Sequence, residues 1–338
     1  MKKYKIAVVG ATGVVGETMR KVLEEKKLPI SEYAFFASKK SEGKVIKFMD
    51  KEYKVKALDE KSFDEKFDFA LFSAGGEVSK KYSPIAAKKG CIVIDNSSAF
   101  RMDDSVPLVV PEVNPNDALK NQGIIANPNC STIQAVVAIK PLDDKYKIKR
   151  IVYSTYQAVS GAGIRGINDL NNGIKKYETG EEYELEKFKY GIFNNCLPQI
   201  DVFLENGYTK EEEKMINETR KILNRPDLKI TATTVRVPVF NSHSESINIE
   251  FENEINIEEI KDLLKKSKGI EVVDDIENEL YPIATKATGT DTVYVGRIRR
   301  DYSVENGVNL WVVADNIRKG AATNAIQIME YLINKELN

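Results

Sequence analysis

An apolar β-run followed directly by three evenly spaced glycines constrains the fold of this 338-residue chain more than any other feature. Tyr4–Val9 is the run, and Gly10–Gly16 reads G-x-x-G-x-x-G before a stretch of helical composition. Glycines permit a tight turn and close approach of the backbone to a phosphate, and the following helix presents free N–H groups and partial positive charge. The segment therefore predicts a strand, a phosphate-binding turn and a helix.

The first half of the chain continues this alternation of strand-like and helix-like stretches. Tyr33–Ala37 and Phe67–Phe72 are the clearest further strands, and shorter ones are predicted at 91–95, 107–110 and 124–126. Strands that alternate with helical stretches indicate parallel β-α-β units with helices on both faces of the sheet. We therefore predict an α/β fold whose first domain is a Rossmann-type parallel sheet.

The second half has longer strands in which polar and apolar residues alternate. Lys229–Val237 and Ser244–Phe251 are examples, and helices are predicted at 210–223 and 257–266. Alternation of this kind is typical of an antiparallel or mixed sheet with one covered face. The pattern predicts a second, α+β domain with a mixed sheet, followed by a C-terminal helix over Gly320–Asn334.

The charge balance argues against two classes of partner. Lysine and arginine total 50 and aspartate and glutamate total 51, so the chain has no excess of positive charge for nucleic acid or an anionic membrane surface. Its apolar runs are too short to span a bilayer, and the glycine turn interrupts the apolar start, unlike a signal peptide. We expect a cytoplasmic protein with no nucleic-acid and no membrane partner.

Cysteine and histidine are scarce in this chain. The three cysteines, Cys91, Cys130 and Cys196, lie far apart, and His243 is the one histidine. A sparse, odd set of cysteines argues against a disulfide framework, and the lack of ligand spacing argues against structural zinc. No metal is predicted.

Cys130 is the cysteine placed like a nucleophile. It follows Asn-Pro-Asn and precedes Ser-Thr and an apolar stretch able to form a helix. A helix N terminus lowers a thiol pKa from about 8.5 to roughly 3.5–7.5 in the most perturbed cases. Cys91, inside an apolar run, and Cys196 are predicted to be structural. If the chemistry needs an imidazole, His243 is the single candidate.

The end of the second predicted strand indicates which dinucleotide the glycine turn would bind. NAD sites usually have Asp or Glu there for the ribose 2′-OH. This chain has Ser38, Lys39, Lys40 and Ser41 instead, two cations and two hydroxyls that suit a 2′-phosphate. We therefore predict NADP rather than NAD; the alternative is a basic surface turn.

Five segments together resemble the aspartate-β-semialdehyde dehydrogenase family, in the family's order and through nearly the whole chain. They are Gly10–Gly16, Asp95–Arg101, Pro128–Ser131, Tyr156–Gly163 and Arg236–His243. The resemblance implies interconversion of aspartyl phosphate and aspartate semialdehyde, with NADPH or NADP and phosphate, in the biosynthesis of lysine, threonine, methionine and diaminopimelate. The alternatives are another acyl-phosphate reductase, such as N-acetyl-glutamyl-phosphate reductase, and a non-catalytic dinucleotide-sensing protein.

The resemblance also implies a role for each matching catalytic residue. Cys130 would displace phosphate from the substrate and form an acyl-thioester, which hydride from NADPH would then reduce to the aldehyde. His243 would act as acid and base, a role worth typically ~10²–10⁴ in rate. Gln157 would orient the substrate near the cysteine.

The remaining matches concern the substrate and the cofactor. By resemblance Arg236 would bind the substrate carboxylate, Arg101 and Lys214 the phosphate, and Glu211 the substrate amine. Arginine suits such groups because it forms forked hydrogen bonds to carboxylate and phosphate. The residues that match the cofactor site are Gly10, Thr12, Gly13, Val14, Val15, Ser38, Lys40, Ser41, Ser160, Gly161 and Asn316.

The resemblance further implies two domains and an oligomer. Residues 1–127 and 319–338 would form the NADP-binding domain, and 128–318 the catalytic and dimerisation domain. A homodimer is expected, with a homotetramer as the alternative. The family often has Arg where this chain has Lys40, so we expect a weaker NADP preference than usual, since Lys lacks the planar fork.

Overall fold

The computed structural model describes residues 2–337 and divides them into two compact units, 2–129 with 321–337, and 130–320. The predicted domain boundaries, 127/128 and 318/319, stay a prediction; the units divide two residues further along at each place. The elements are β1 (Tyr4–Val9), α1 (Val14–Lys26), β2 (Ile30–Ala37), β3 (Val45–Phe48), β4 (Lys51–Lys54), β5 (Lys56–Ala57), β6 (Phe69–Phe72), α2 (Gly76–Lys88), β7 (Ile92–Asp95), β8 (Ile124–Ala126), α3 (Cys130–Tyr146), β9 (Ile148–Gln157), α4 (Ile164–Thr179), α5 (Lys210–Leu223), β10 (Lys229–Arg236), β11 (His243–Phe251), α6 (Ile257–Lys265), β12 (Ile270–Val272), α7 (Ala284–Ala287), β13 (Val293–Asp301), β14 (Gly307–Ala314) and α8 (Thr323–Leu337).

The first unit is built on a six-stranded parallel sheet in the order β5-β2-β1-β6-β7-β8. The central strand β6 is buried along its whole length, which explains its continuous apolar run. One core, including Leu23 of α1 and Met329 of α8, covers one face of the sheet. A second core, including Ala86 of α2, covers the other face. The predicted parallel α/β domain is confirmed.

Two local predictions for the first unit differ from the structure. The predicted strand over 107–110 is wrong, since only Leu108 bridges to β8. The Asn114 side chain accepts from the Val110 N–H and donates to the Leu108 carbonyl oxygen, so these groups are not available to a ladder. The sequence analysis also missed the β3–β4 hairpin, whose turn residues Met49 and Asp50 both have positive φ without the glycine that usually marks such a turn.

The second unit contains a mixed six-stranded sheet in the order β10-β9-β11-β14-β13-β12. The pairs β10/β9 and β12/β13 are parallel and the others antiparallel, as the alternating pattern predicted. Along β11 every second residue from His243 is fully buried, because side chains alternate across a strand and one face packs against helix α3.

Two helix starts matter for the site. Helix α3 begins at Cys130, as predicted. Helix α8 begins at Thr323, later than predicted, because Arg318–Ala322 forms a π-helical turn. Such turns are often found at functional sites. Within residues 2–337, no helix has the length and apolarity that crossing a membrane requires. In the same part of the chain, no group of three or more His, Cys, Asp or Glu residues could hold a metal ion.

Candidate active site

The candidate nucleophile and the single histidine are in contact within the second unit. Cys130 is the first residue of α3, and His243 is the first residue of β11. The Cys130 Sγ lies 3.3 Å from the His243 Nε2. A helix N terminus and an imidazole nitrogen therefore act on the same sulfur, a setting that favours a reactive thiolate.

His243 is fixed in position and has no exposure to solvent. The Ala158 main-chain N–H donates to the His243 Nδ1 at 3.0 Å. Burial lowers the pKa of His243 well below its usual value of 6.5, and the positive charge of Arg236 lowers it further. The imidazole is therefore neutral around physiological pH.

A row of buried polar side chains connects β9 to α5. The Thr155 Oγ1 donates to the Gln157 Oε1 at 3.0 Å, and the Gln157 Nε2 donates to the Glu211 Oε1 at 3.2 Å. Thr155 and Gln157 share one face of β9 because side chains alternate along a strand. Glu211 reaches them from the first turn of α5, whose start is fixed by a capping box at Thr209. The structure thus places Gln157 and Glu211 side by side.

Charged partners surround Glu211. The Lys214 Nζ donates to the Glu211 Oε2 at 3.0 Å and to the Asp201 Oδ2 at 2.9 Å. Burial alone lowers the pKa of Lys214, but the carboxylates of Glu211 and Asp201 outweigh it, and the pKa is raised. Lys214 therefore keeps its positive charge and Glu211 keeps a counterion.

Arg236 is a buried guanidinium with unused hydrogen-bonding capacity. Its Nη1 donates to the Ala158 carbonyl oxygen at 2.6 Å, and its Nε has no hydrogen-bond partner among the described residues. Arg236 also lines a pocket of about 500 Å³. A guanidinium with free N–H groups beside a pocket is suited to bind a carboxylate.

The three residues predicted at the nicotinamide end form one cluster. The Asn316 Nδ2 donates to the Ser160 Oγ at 3.0 Å, and the Asn316 Oδ1 accepts from the Ser242 N–H at 2.8 Å. A Cβ on Gly161 would lie 2.9 Å from the Arg236 Nη1. The glycine therefore allows the chain to pass close over the guanidinium.

The glycine turn of the first unit fits a pyrophosphate. Gly10 has a φ of 83°, and a Cβ there would lie 2.2 Å from the Ser73 carbonyl oxygen. A Cβ on Gly16 would lie 2.2 Å from the Gly10 carbonyl oxygen. Gly13 caps α1 without a side-chain hydrogen bond, so the first N–H groups of the helix are available to an anion. The other predicted residues of this turn are Thr12, Val14 and Val15.

The residues predicted for the 2′-phosphate follow β2 directly. Lys39–Ser41 form a single 3₁₀ turn that begins after Ser38, and Lys40 is exposed. The Thr12 Oγ1 donates to the Ser41 Oγ at 3.4 Å, which connects this turn to the glycine turn. Hydroxyls and an exposed ammonium next to a pyrophosphate cradle fit NADP.

Arg101, predicted to bind phosphate, belongs to the first unit and is held by main-chain oxygens. Its Nε donates to the Asn127 carbonyl at 2.9 Å and its Nη2 to the Asn96 carbonyl at 2.7 Å. The side chain is only 7% exposed. The contacts fix the guanidinium in place, and its phosphate-binding role stays a prediction.

The two other cysteines lack the features of Cys130. Cys91 is buried, and burial raises the pKa of its thiol to about 12, which agrees with the predicted packing role. Cys196 is exposed, so the prediction that it is a structural residue is wrong. A hydrophilic Asn-Asn stretch before it was the available sequence signal.

Sequence reasoning missed two residues close to the site. Glu245 lies two positions after His243 on the same buried face of β11, and both its carboxyl oxygens lack hydrogen-bond partners. The strand alternation could have revealed a charged residue at an inward position. Gly320 had no such signal; a Cβ on it would lie 2.8 Å from the Cβ of Cys130.

This arrangement is suited to acyl transfer through a thiol. It provides a sulfur at a helix N terminus, a neutral imidazole in contact with it, and a buried guanidinium and carboxylate that could bind the two ends of an amino-acid substrate. The first unit provides a dinucleotide cradle. Fold and site together define a thiol-dependent dehydrogenase.

Family models divide the chain in the same way. Residues 5–121 match the semialdehyde dehydrogenase NAD binding domain, and residues 139–319 match the semialdehyde dehydrogenase dimerisation domain. The class is therefore that of the semialdehyde dehydrogenases.

Individual relatives narrow the class. The chain is 57% identical to the aspartate-semialdehyde dehydrogenase of Aquifex aeolicus, over 99% of both chains. It is 48% identical to the solved aspartate semialdehyde dehydrogenase II of Vibrio cholerae complexed with ASA, with a TM-score of 0.95 over 99% of both chains. A structure of the Candida albicans enzyme with NADP is 25% identical, with a TM-score of 0.77 over 100% of both chains. The chain belongs to the aspartate-semialdehyde dehydrogenase family.

Proposed function

We propose that the protein reduces L-aspartyl 4-phosphate to L-aspartate 4-semialdehyde, with release of phosphate, using NADPH. The observation that carries this proposal is the 3.3 Å contact between the Cys130 Sγ and the His243 Nε2 at the start of α3, in a chain of this family. The same residues would catalyse the reverse, phosphate-dependent oxidation of the semialdehyde. The product would serve the biosynthesis of lysine, threonine, methionine and diaminopimelate.

Cys130 forms the covalent intermediate. Its thiolate attacks the acyl carbon, the C–S bond forms, and the C–O bond to phosphate breaks with its electron pair leaving on the phosphate. When bound, NADPH supplies the hydride that reduces the resulting acyl-thioester. The aldehyde then departs as the C–S bond breaks and the thiolate returns.

The substrate is held by charge at both of its ends. Arg236 binds the α-carboxylate, because its Nε is unused and its guanidinium borders a pocket. Glu211 binds the α-ammonium, and Gln157, hydrogen-bonded to Glu211, orients the acyl group towards the sulfur. Lys214 and Arg101 bind the phosphate. These contacts place the reacting atoms together, which can supply a large share of a rate enhancement.

NADP rather than NAD is the proposed cofactor. Support comes from the Lys39–Ser41 turn after β2, where NAD sites usually have an acidic residue, and from the likeness to the Candida albicans enzyme with NADP. The pyrophosphate lies at Gly10–Val15, and Ser160, Gly161 and Asn316 contact the nicotinamide end.

A coupled assay tests the function. We expect NADP reduction with aspartate semialdehyde only when phosphate is present, because phosphate must release the acyl group from the enzyme. N-acetyl-glutamyl semialdehyde is the comparison substrate and should be inactive, since an acetylated amine cannot pair with Glu211. Turnover of the acetylated compound alone would instead support an N-acetyl-glutamyl-phosphate reductase, and binding of NADP without any turnover a sensing protein.

Replacing Lys40 tests the cofactor assignment. Lys40→Glu should raise the KM for NADPH about 10- to 100-fold, because a charge-assisted hydrogen bond worth about 1.5–3 kcal/mol is lost. The KM for NADH should change little, since NADH has no 2′-phosphate. Lys51→Glu, an exposed lysine of the same unit, is the matched control. Equal effects of Lys40→Glu on both cofactors would contradict the assignment.

We further propose a homodimer in the cytoplasm. The dimerisation-domain match supports the dimer, and so does the side of the mixed sheet that carries the exposed Tyr156 ring next to Trp311. A reactive thiol and the lack of disulfides among the described residues suit a reducing compartment. A solution mass of one chain or of four would contradict the dimer.

A further inference from the structure

The hydrogen bond to the His243 Nδ1 determines where the imidazole carries its proton. The Ala158 main-chain N–H donates to this nitrogen at 3.0 Å. A main-chain amide nitrogen can only donate, so the His243 Nδ1 must accept and therefore has no hydrogen of its own. The hydrogen bond at one ring nitrogen fixes the state of the other.

It follows that a neutral His243 is protonated on Nε2. A neutral imidazole has one N–H, and with Nδ1 occupied as an acceptor that N–H is on Nε2. The Nε2 lies 3.3 Å from the Cys130 Sγ. The imidazole therefore presents a donor, not a lone pair, to the sulfur.

A doubly protonated His243 is disfavoured by the same contact. Its Nδ1–H would point at the Ala158 N–H across 3.0 Å. The charged and titratable groups that face His243 are Cys130 of α3 and Arg236 of β10, while β14 presents Ala314. Burial and the Arg236 charge lower the pKa of His243 well below 6.5, in agreement with a neutral ring.

We propose that the Ala158 main-chain N–H locks His243 in the Nε2–H tautomer, so that the imidazole is a fixed hydrogen-bond donor to the Cys130 thiolate and does not remove the thiol proton. This inference rests on the proposed function for its catalytic meaning, but the tautomer itself does not. It narrows the acid and base role predicted from the sequence. The His243 side chain is the catalytic group, and Ala158 is the positioning residue.

The chemistry balances without a base at His243. The thiol loses its proton to solvent, and the helix N terminus and the Nε2–H stabilise the thiolate. When the thiolate attacks, the carbonyl π electrons move to the oxygen. They return to reform the C=O bond as phosphate leaves, and the released phosphate takes its proton from water. The Nε2–H stays on the nitrogen throughout.

The single histidine makes the tautomer directly measurable. Protein without a histidine tag, labelled with ¹⁵N at histidine, gives one imidazole in a long-range ¹H–¹⁵N spectrum. We expect a protonated Nε2 and an unprotonated Nδ1, unchanged from about pH 6 to 9, the range around the usual histidine pKa. A proton on Nδ1, or conversion to imidazolium within this range, would overturn the proposal. Neither result depends on enzyme activity.

The Cys130→Ala variant separates the two contacts of the ring. Removing the sulfur leaves the Ala158 N–H in place, so the Nε2–H tautomer should persist. A change to the Nδ1–H tautomer in this variant would mean that the thiol, not the Ala158 amide, selects the tautomer, and would refute the lock.

Two substitutions of His243 test the donor role kinetically. Gln places an amide N–H near the former Nε2 and cannot titrate, whereas Asn places one nearer the former Nδ1. We expect kcat of His243→Gln to exceed that of His243→Asn at least about tenfold, with faster alkylation of Cys130 at neutral pH. This is the direction a donor to the thiolate requires. Equal, deep losses in both variants would indicate obligatory proton transfer and contradict the proposal.

Discussion

Replacing Cys130 with alanine should abolish the phosphate-dependent reduction of NADP while leaving the protein folded. Without the sulfur no acyl-enzyme can form, and loss of a covalent nucleophile costs on the order of 10⁶-fold in kcat. The side chain is small and half-buried at the start of α3, so its removal leaves little void. Steady-state rates with aspartate semialdehyde, NADP and phosphate measure the effect, and circular dichroism checks the fold.

Cys196→Ala is the matched control for that experiment. Cys196 is exposed and has no part in the site, so this variant should retain full activity. In the Cys196→Ala background, iodoacetamide should modify one thiol rapidly and inactivate the enzyme, since the pKa of the buried Cys91 is raised to about 12. A Cys130→Ala protein within tenfold of the parent rate would refute the covalent mechanism.

The acyl-enzyme itself gives a second readout. With aspartyl phosphate and without NADPH, the intact mass should increase by one aspartyl group on Cys130, and the adduct should disappear when NADPH is added. Cys130→Ala should acquire no adduct. An adduct on a different residue would move the nucleophile elsewhere.

The sequence predicted the parts of the fold in which local pattern and tertiary role agree. The apolar run at Tyr4–Val9 and the glycines after it became β1 and the start of α1, because only glycine tolerates a φ of 83° at Gly10 against the Ser73 carbonyl. The predicted strand at 107–110 failed for a non-local reason, since the Asn114 side chain takes the groups that pairing would need. Such competition has no signature in strand propensity.

The site was harder to predict because its residues break the local rules. Glu211 lies in a run of three glutamates, a pattern typical of a solvated helix face, yet it is 5% exposed. The Ala158 N–H is a main-chain group and has no sequence signature at all. Only the packing of α5 and β11 against β9 brings these groups together, and functional sites are the places where such conflicts are expected.

Glu245 is the clearest conflict and gives the second prediction. It has no solvent exposure and no hydrogen-bond partner for either carboxyl oxygen among the described residues. Burial raises the pKa of Glu245 well above its usual value of 4.5, and the charge of Glu211 raises it further. Glu211 has Lys214 as a counterion, so the shared negative charge resides on Glu211 and the proton on Glu245.

The folded protein therefore holds a proton that the unfolded chain has released. Above the unfolded pKa of about 4.5, rising pH stabilises the unfolded state relative to the folded state, until the folded pKa is reached. Glutamine has the shape of the protonated acid and never ionises. The unfolding free energy of Glu245→Gln minus that of the parent should increase by about 1.4 kcal/mol per pH unit in this window.

Urea unfolding of the two proteins at several values between about pH 5.5 and 8.5 measures this difference. Glu250→Gln, five residues along the same strand, is the control; its ion pair with Lys149 is exposed at the lysine, so the difference should stay within about 1 kcal/mol at every pH. A Glu245→Gln difference that does not change with pH would mean that Glu245 is ionised in the folded protein. In that case a second buried negative charge would lie near Glu211, and the assignment of a single charge to this pair would be wrong.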